Sequence, residues 1–157
     1  MTRVMFVCYG NICRSPMAEF VLKKMVRDRG LESQFKIASS ATSTEEIIGG
    51  VGRPMYRPAR EELSRRGVPF EDRRAVQLTS EDAGKYDIFV GMDHDNIRNM
   101  HRILGADAAD KIHRMMDFTE RGGEVADPWY TDRFDIAYRD IYDGCEGLLR
   151  FLQKERA

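Results

Sequence analysis

Short apolar runs rich in β-formers alternate along this chain with segments of helical periodicity, and that alternation constrains the fold more than any other feature. Arg3 to Val7 reads as a first strand, apolar from Val4 onward, and Phe35 to Ser39 as a second. Asp87 to Met92 is the clearest buried strand, with Ile88-Phe89-Val90 between turn-forming flanks, and Lys111 to Met115 reads as a last one. Helical spacing fills the gaps. Pro16 suits the first turn of a helix whose apolar residues Ala18, Val21, Leu22 and Met25 recur at three- and four-residue steps, with Gly30 as its stop. A second helix runs from Pro58 to Arg66 and ends at Gly67. Asp93 caps a third, with Ile97, Met100 and Leu104 on one face and Gly105 beyond it. The longest carries Phe134, Tyr138, Ile141, Cys145, Leu148 and Leu152, although Gly144 and Gly147 should weaken it by up to ~1 kcal/mol each relative to Ala. Strands alternating with helices imply an α/β fold with a mostly parallel sheet covered on both faces. In such sheets ligands bind beyond the carboxyl ends of the strands.

The 157 residues suit one domain, 1–157, able to bury roughly 70 % of its extended-chain surface, and they show no repeat or linker. With 25 basic against 26 acidic residues, bulk charge gives no reason to expect nucleic acid or an anionic membrane as partner. The apolar run at the N-terminus is too short for a signal peptide, and no stretch reaches membrane-spanning length. Three cysteines without a CxxC pair argue against a disulfide scaffold and against structural zinc, and His94, His101 and His113 form no ligand pattern. A reducing cytoplasm is the expected setting.

The segment Cys8-Tyr9-Gly10-Asn11-Ile12-Cys13-Arg14-Ser15-Pro16 places a thiol, five residues and a guanidinium between a strand and a helix start. A short loop entering a helix turns successive backbone N–H groups toward one centre, and the helix N-terminus adds partial positive charge. Gly10 and Asn11 tolerate the left-handed backbone such a loop needs. Arg14 can grip two phosphate oxygens at once. The same field favours the thiolate of Cys8, and Ser15 can donate a hydrogen bond to it. A lone cysteine after a strand is usually a small buried apolar residue, but nine matched positions at a strand–turn–helix junction favour a nucleophile. Peroxide should oxidise that thiolate; Cys13 either captures the product as a disulfide or only packs under the loop.

This loop resembles the signature of the low-molecular-weight protein tyrosine phosphatases, which carry it at the N-terminus as here. Asp127-Pro128-Trp129-Tyr130 resembles the family's second signature, and Gly91-Met92-Asp93 with Asn96 also fits. The resemblance covers essentially the whole chain. It implies a four-stranded parallel sheet flanked by helices, no cofactor, phosphotyrosine proteins as substrates, and a monomer or weak dimer. It also implies Cys8 as nucleophile, Arg14 as phosphate clamp and Asp127 as general acid. Tyr9, Gly10, Asn11, Ile12, Cys13 and Ser15 then bind the phosphate or substrate, Trp129 and Tyr130 wall the ring, and Ser39 hydrogen-bonds Asn11. Protonating the phenolic oxygen as it departs makes the general acid necessary. On its own, Asp-Pro is a turn, and either aromatic is equally an ordinary half-buried residue.

The chain departs from the pattern where many members carry a histidine in the serine–asparagine network; here Arg73 stands within Asp72-Arg73-Arg74-Ala75. The rim that often carries an aromatic is Thr44-Glu45-Glu46, which predicts a more acidic mouth. Arsenate reductases on this fold need two mid-chain cysteines, and none lies between Cys13 and Cys145. Protein-arginine phosphatases carry Thr at the position of Ile12 and lack the paired aromatics. A phosphate-reading module without catalysis would need neither Cys8 nor Asp127.

Overall fold

The computed structural model describes residues 1–156. In chain order the first half holds β1 (Thr2–Cys8), α1 (Arg14–Asp28), β2 (Phe35–Ala41), a small hairpin of β3 (Ile47–Ile48) and β4 (Val51–Gly52), and α2 (Arg57–Arg65). The second half holds β5 (Ile88–Gly91), α3 (His94–Leu104), β6 (Ile112–Arg114), the single turn α4 (Pro128–Thr131) and α5 (Phe134–Arg156). The sheet is parallel throughout, in the order β2-β1-β5-β6, with Val4 beside Ile37 and Ile88 and Val7 beside Ser40 and Gly91.

β1 shows why both faces are covered. Val4, Phe6 and Cys8 enter a core shared with α1, α2 and α5, while Met5 and Val7 enter a second core with Phe89 and with Met100 and Leu104 of α3. Burial on both sides explains the unbroken apolar run that read as a parallel strand. The expected strands and helices are all present. Lys111–Met115 is shorter as a strand than its apolar content implied, because Met115 opens a 3₁₀ turn, Met115–Phe118, on which α5 packs. The β3–β4 hairpin was not expected; its two-residue strands are too short to show a period.

Two glycines of α5 read differently in three dimensions. A Cβ on Gly144 would lie 2.4 Å from Met115 Sδ, and one on Gly147 only 1.8 Å from the carbonyl oxygen of Phe118. The helix loses some propensity there and gains close approach to the 3₁₀ turn. That turn begins the passage leading to Asp127. Val125, fully buried, donates its N–H to the Met92 carbonyl at 2.9 Å and ties this passage to the carboxyl end of β5. Cys8, Asp93 and Asp127 thus gather beyond the carboxyl ends of the two central strands.

Candidate active site

The loop after β1 wraps its backbone around one sulfur. Asn11 N–H and Ser15 N–H donate to Cys8 Sγ at 3.3 and 3.4 Å, and Ser15 Oγ lies 2.9 Å from it. Asn11 holds the tight bend at φ 59°, in the left-handed region its side chain tolerates. Gly10 does not share that conformation; its bare Cα instead leaves room for Glu46, whose Cγ would be 3.1 Å from an added Cβ. Arg14 is the first residue of α1, so its guanidinium rises from the same helix start that directs N–H groups at the sulfur.

Cys8, Tyr9, Gly10, Ile12, Cys13 and Arg14 line a cleft with Asp127, Trp129 and Tyr130, and Glu45 and Glu46 complete its rim. At about 130 Å³ it is far below the ~300–1,000 Å³ of a drug-sized ligand site, so it takes a small group deep and leaves the rest of a substrate outside. The acidic rim stands where the sequence placed it. Asn11 and Ser15 do not line the cleft; both lie fully buried beneath it. Ser39, also buried, accepts from Asn11 Nδ2 at 2.9 Å and donates to Glu19 at 2.6 Å.

Arg14 is held from outside the loop. Nη1 donates to Asp93 Oδ2 at 2.7 Å and to the Val125 carbonyl at 2.9 Å, and Nη2 lies 3.5 Å from Asp127 Oδ2. Burial alone favours a neutral guanidinium, but Cys8, Asp127 and Asp93 outweigh it and raise the pKa above the ordinary arginine value. Asp127 also caps α4, accepting the Trp129 N–H at 3.1 Å, which fixes its carboxylate over the cleft. Trp129 and Tyr130 are largely exposed at the mouth, with Trp129 packed on Tyr56 at 5.0 Å between ring centroids. Cys13 is a buried free thiol whose pKa is raised, first by burial and then by the negative charge at Cys8, so it stays protonated.

Sequence reasoning missed three of these supports. Asp93 read only as a helix cap, and it is one through Asn96 N–H, but its second oxygen holds Arg14. Its position two residues past a buried strand end was the available signal. Glu19 sits in the apolar stripe of α1, three residues before Leu22, where a carboxylate demands partners; it has Ser39 and Lys23, the latter at 2.6 Å. Tyr56 carried no signal. The departure at Arg73 does not break the network either, because Arg73 itself takes the vacant place on Asn11.

A sulfur gripped by backbone N–H groups, on a parallel sheet and under a fixed guanidinium, defines a cysteine-based phosphate-handling protein. The family profile of the low molecular weight phosphotyrosine protein phosphatases matches residues 3–157. A low molecular weight protein-tyrosine-phosphatase of Bacillus subtilis, YfkJ, is 36% identical over 160 residues, covering 99% of both chains, and its crystal structure superposes with a TM-score of 0.91 over 100% of this chain and 98% of that one. A protein tyrosine phosphatase of Entamoeba histolytica, solved with Hepes in its active site, is 29% identical, with a TM-score of 0.91 over 100% of both chains. PtpA of Staphylococcus haemolyticus is 30% identical across 99% of this chain and 96% of its own. This chain belongs to the low molecular weight phosphotyrosine protein phosphatase family, whose members are cysteine-based, metal-independent hydrolases.

Proposed function

We propose that the chain hydrolyses phosphotyrosine in proteins through a phosphocysteine on Cys8. One observation carries the reading: Cys8 Sγ is the common acceptor of the Asn11 and Ser15 N–H groups at the floor of a cleft walled by Arg14 and Asp127. The thiolate attacks phosphorus while Arg14 and the loop N–H groups hold the other oxygens. The P–O bond to the ring breaks, and Asp127 donates its proton to the departing phenolic oxygen. Water then attacks phosphorus, Asp127 takes its proton, the P–S bond breaks and phosphate leaves. Ser15 Oγ, 2.9 Å from the sulfur, stabilises the thiolate that returns. Before substrate binds, Asp127 leans on Arg14 at 3.5 Å, and a bound phosphate dianion takes over that partner.

Trp129 and Tyr130 form the walls that pack on the substrate ring, and residues 1–157 act as a single catalytic domain, as monomer or weak dimer in the cytoplasm. No helix among the described residues is long and apolar enough to cross a membrane. The test is Cys8→Ser. Turnover of phosphotyrosine peptides should vanish while vanadate binding persists, because the loop N–H groups and Arg14 remain. Residual activity above a few per cent, or failure to trap a phosphocysteine in rapid-quench labelling of the wild type, would sink the reading.

A further inference from the structure

Arg73 makes contacts that its place on an irregular loop did not foreshadow. It lies on the segment after α2, which is anchored just beyond it at Ala75 and Val76. Ala75 N–H donates to the Arg53 carbonyl at 2.9 Å, and Ala41 N–H to the Val76 carbonyl at 2.8 Å. From there the guanidinium reaches into the loop under the cleft. Nη1 donates to the Asn11 main-chain carbonyl at 2.8 Å, and Nη2 donates to Asn11 Oδ1, which also accepts Val76 N–H at 3.0 Å. One planar fork therefore holds both oxygens of the residue that carries the loop's left-handed bend.

The consequence lies in the next peptide plane. In a trans peptide the C=O of Asn11 and the N–H of Ile12 point in opposite directions. Pulling the Asn11 carbonyl down, away from the cleft, turns the Ile12 N–H up into it, and Ile12 lines the cleft. The following plane is fixed in the same way from another element, since Ile12 O accepts Tyr56 N–H at 2.8 Å. We propose that Arg73 is a positioning residue that aims the Ile12 N–H at the phosphate and, as a permanent cation, keeps it aimed at every working pH. The inference rests on the phosphatase reading above.

The charged groups facing Arg73 are the Glu19 carboxylate of α1 and the Cys8 sulfur at the end of β1. Glu19 is shared with Lys23 of its own helix and with Ser39 of β2. Burial lowers the Arg73 pKa and those two groups oppose it, yet a guanidinium has far to fall before it loses its proton. A histidine in its place would offer one donor along this direction and would titrate in the neutral range.

The experiment compares Arg73→Lys, Arg73→Gln and Arg73→His with wild type and with Arg74→Gln, an exposed neighbour outside the machinery. Each is checked for folding by circular dichroism, then assayed for vanadate inhibition and for kcat and KM from pH 5 to 8.5. Arg73→Gln should weaken vanadate by at least about tenfold and lower kcat similarly, the loss of one charge-assisted hydrogen bond. Arg73→Lys should fall between it and wild type. Arg73→His should bind vanadate better at low pH and lose affinity as the imidazolium deprotonates, an ionisation absent from wild type. Folded Arg73 variants with wild-type vanadate affinity and an unchanged pH profile, lowered only in melting temperature, overturn the inference and leave the phosphatase reading standing. Wild-type protein that fails to turn over phosphotyrosine overturns that reading instead.

Discussion

At the scale of single residues, the site separates groups that touch the reacting atoms from groups that hold them. Asp127 belongs to the first set in the proposed mechanism, and its two oxygens are already divided between the Trp129 N–H and Arg14. Asp127→Ala should cost kcat ~10²–10⁴-fold, the usual range for a positioned proton donor. The loss should shrink for aryl phosphates whose phenols are acidic enough to leave unprotonated. A loss independent of leaving-group pKa would assign the proton to another group. Cys8, Arg14 and Asp127 were each legible as candidates, because a thiol, a guanidinium and an Asp-Pro turn carry their chemistry in their own types. Asp93, Glu19 and Arg73 were less so. Nothing in an aspartate at a helix start tells a reader that its second oxygen faces an arginine 79 residues away.

At the scale of elements, two helices carry tests of how they pack. An alanine at Gly147 would raise the helix propensity of α5 by up to ~1 kcal/mol, but its Cβ would sit 1.8 Å from the Phe118 carbonyl oxygen. Backbone cannot yield as a flexible side chain can, so Gly147→Ala should destabilise by about 1–3 kcal/mol, the cost of overpacking, read as a lower melting temperature. A melting temperature equal to or above wild type would show that the turn moves freely. In α2, Glu62 accepts from Arg65 at 2.5 Å and from Arg66 at 2.7 Å. Burial alone would raise its pKa, and the two arginines outweigh that and hold it below the ordinary glutamate value. A depressed folded pKa means stability that is present above the unfolded pKa of about 4.3 and lost as pH falls through the folded one. Glu62→Gln should therefore flatten the acid limb of stability against pH and cost about 1 kcal/mol near neutrality. An unchanged acid limb would show that other carboxylates govern it.

At the scale of the whole molecule, the mouth of the cleft is assembled from distant segments: Tyr9 and Ile12 from the loop, Glu45 and Glu46 before the hairpin, Trp129 and Tyr130 on α4. A flat ring can stack between such walls while its oxygen reaches the loop. A phosphoarginine would bring its N–H groups beside the apolar Ile12 side chain, and unpaired buried donors cost ~1–3 kcal/mol. Phosphotyrosine peptides should therefore exceed phosphoarginine peptides by at least roughly tenfold in kcat/KM, with the gap narrowing in Ile12→Thr. Faster turnover of phosphoarginine would reverse the assignment of substrate and leave the chemistry of Cys8 intact. The order of strands and helices, the anion-cradling loop and the identity of its thiol and guanidinium were written in the sequence, because hydrophobic period, turn chemistry and a nine-residue motif act over a few neighbours. Even the left-handed bend at Asn11 was local information. Only the tertiary structure decided which carboxylate steadies Arg14, that Arg73 rather than a histidine holds Asn11 from 62 residues away, and that two helix-weakening glycines are close contacts. Those facts depend on how parallel crossovers bring strand ends to one edge of the sheet, and separation in sequence holds no record of that distance in space.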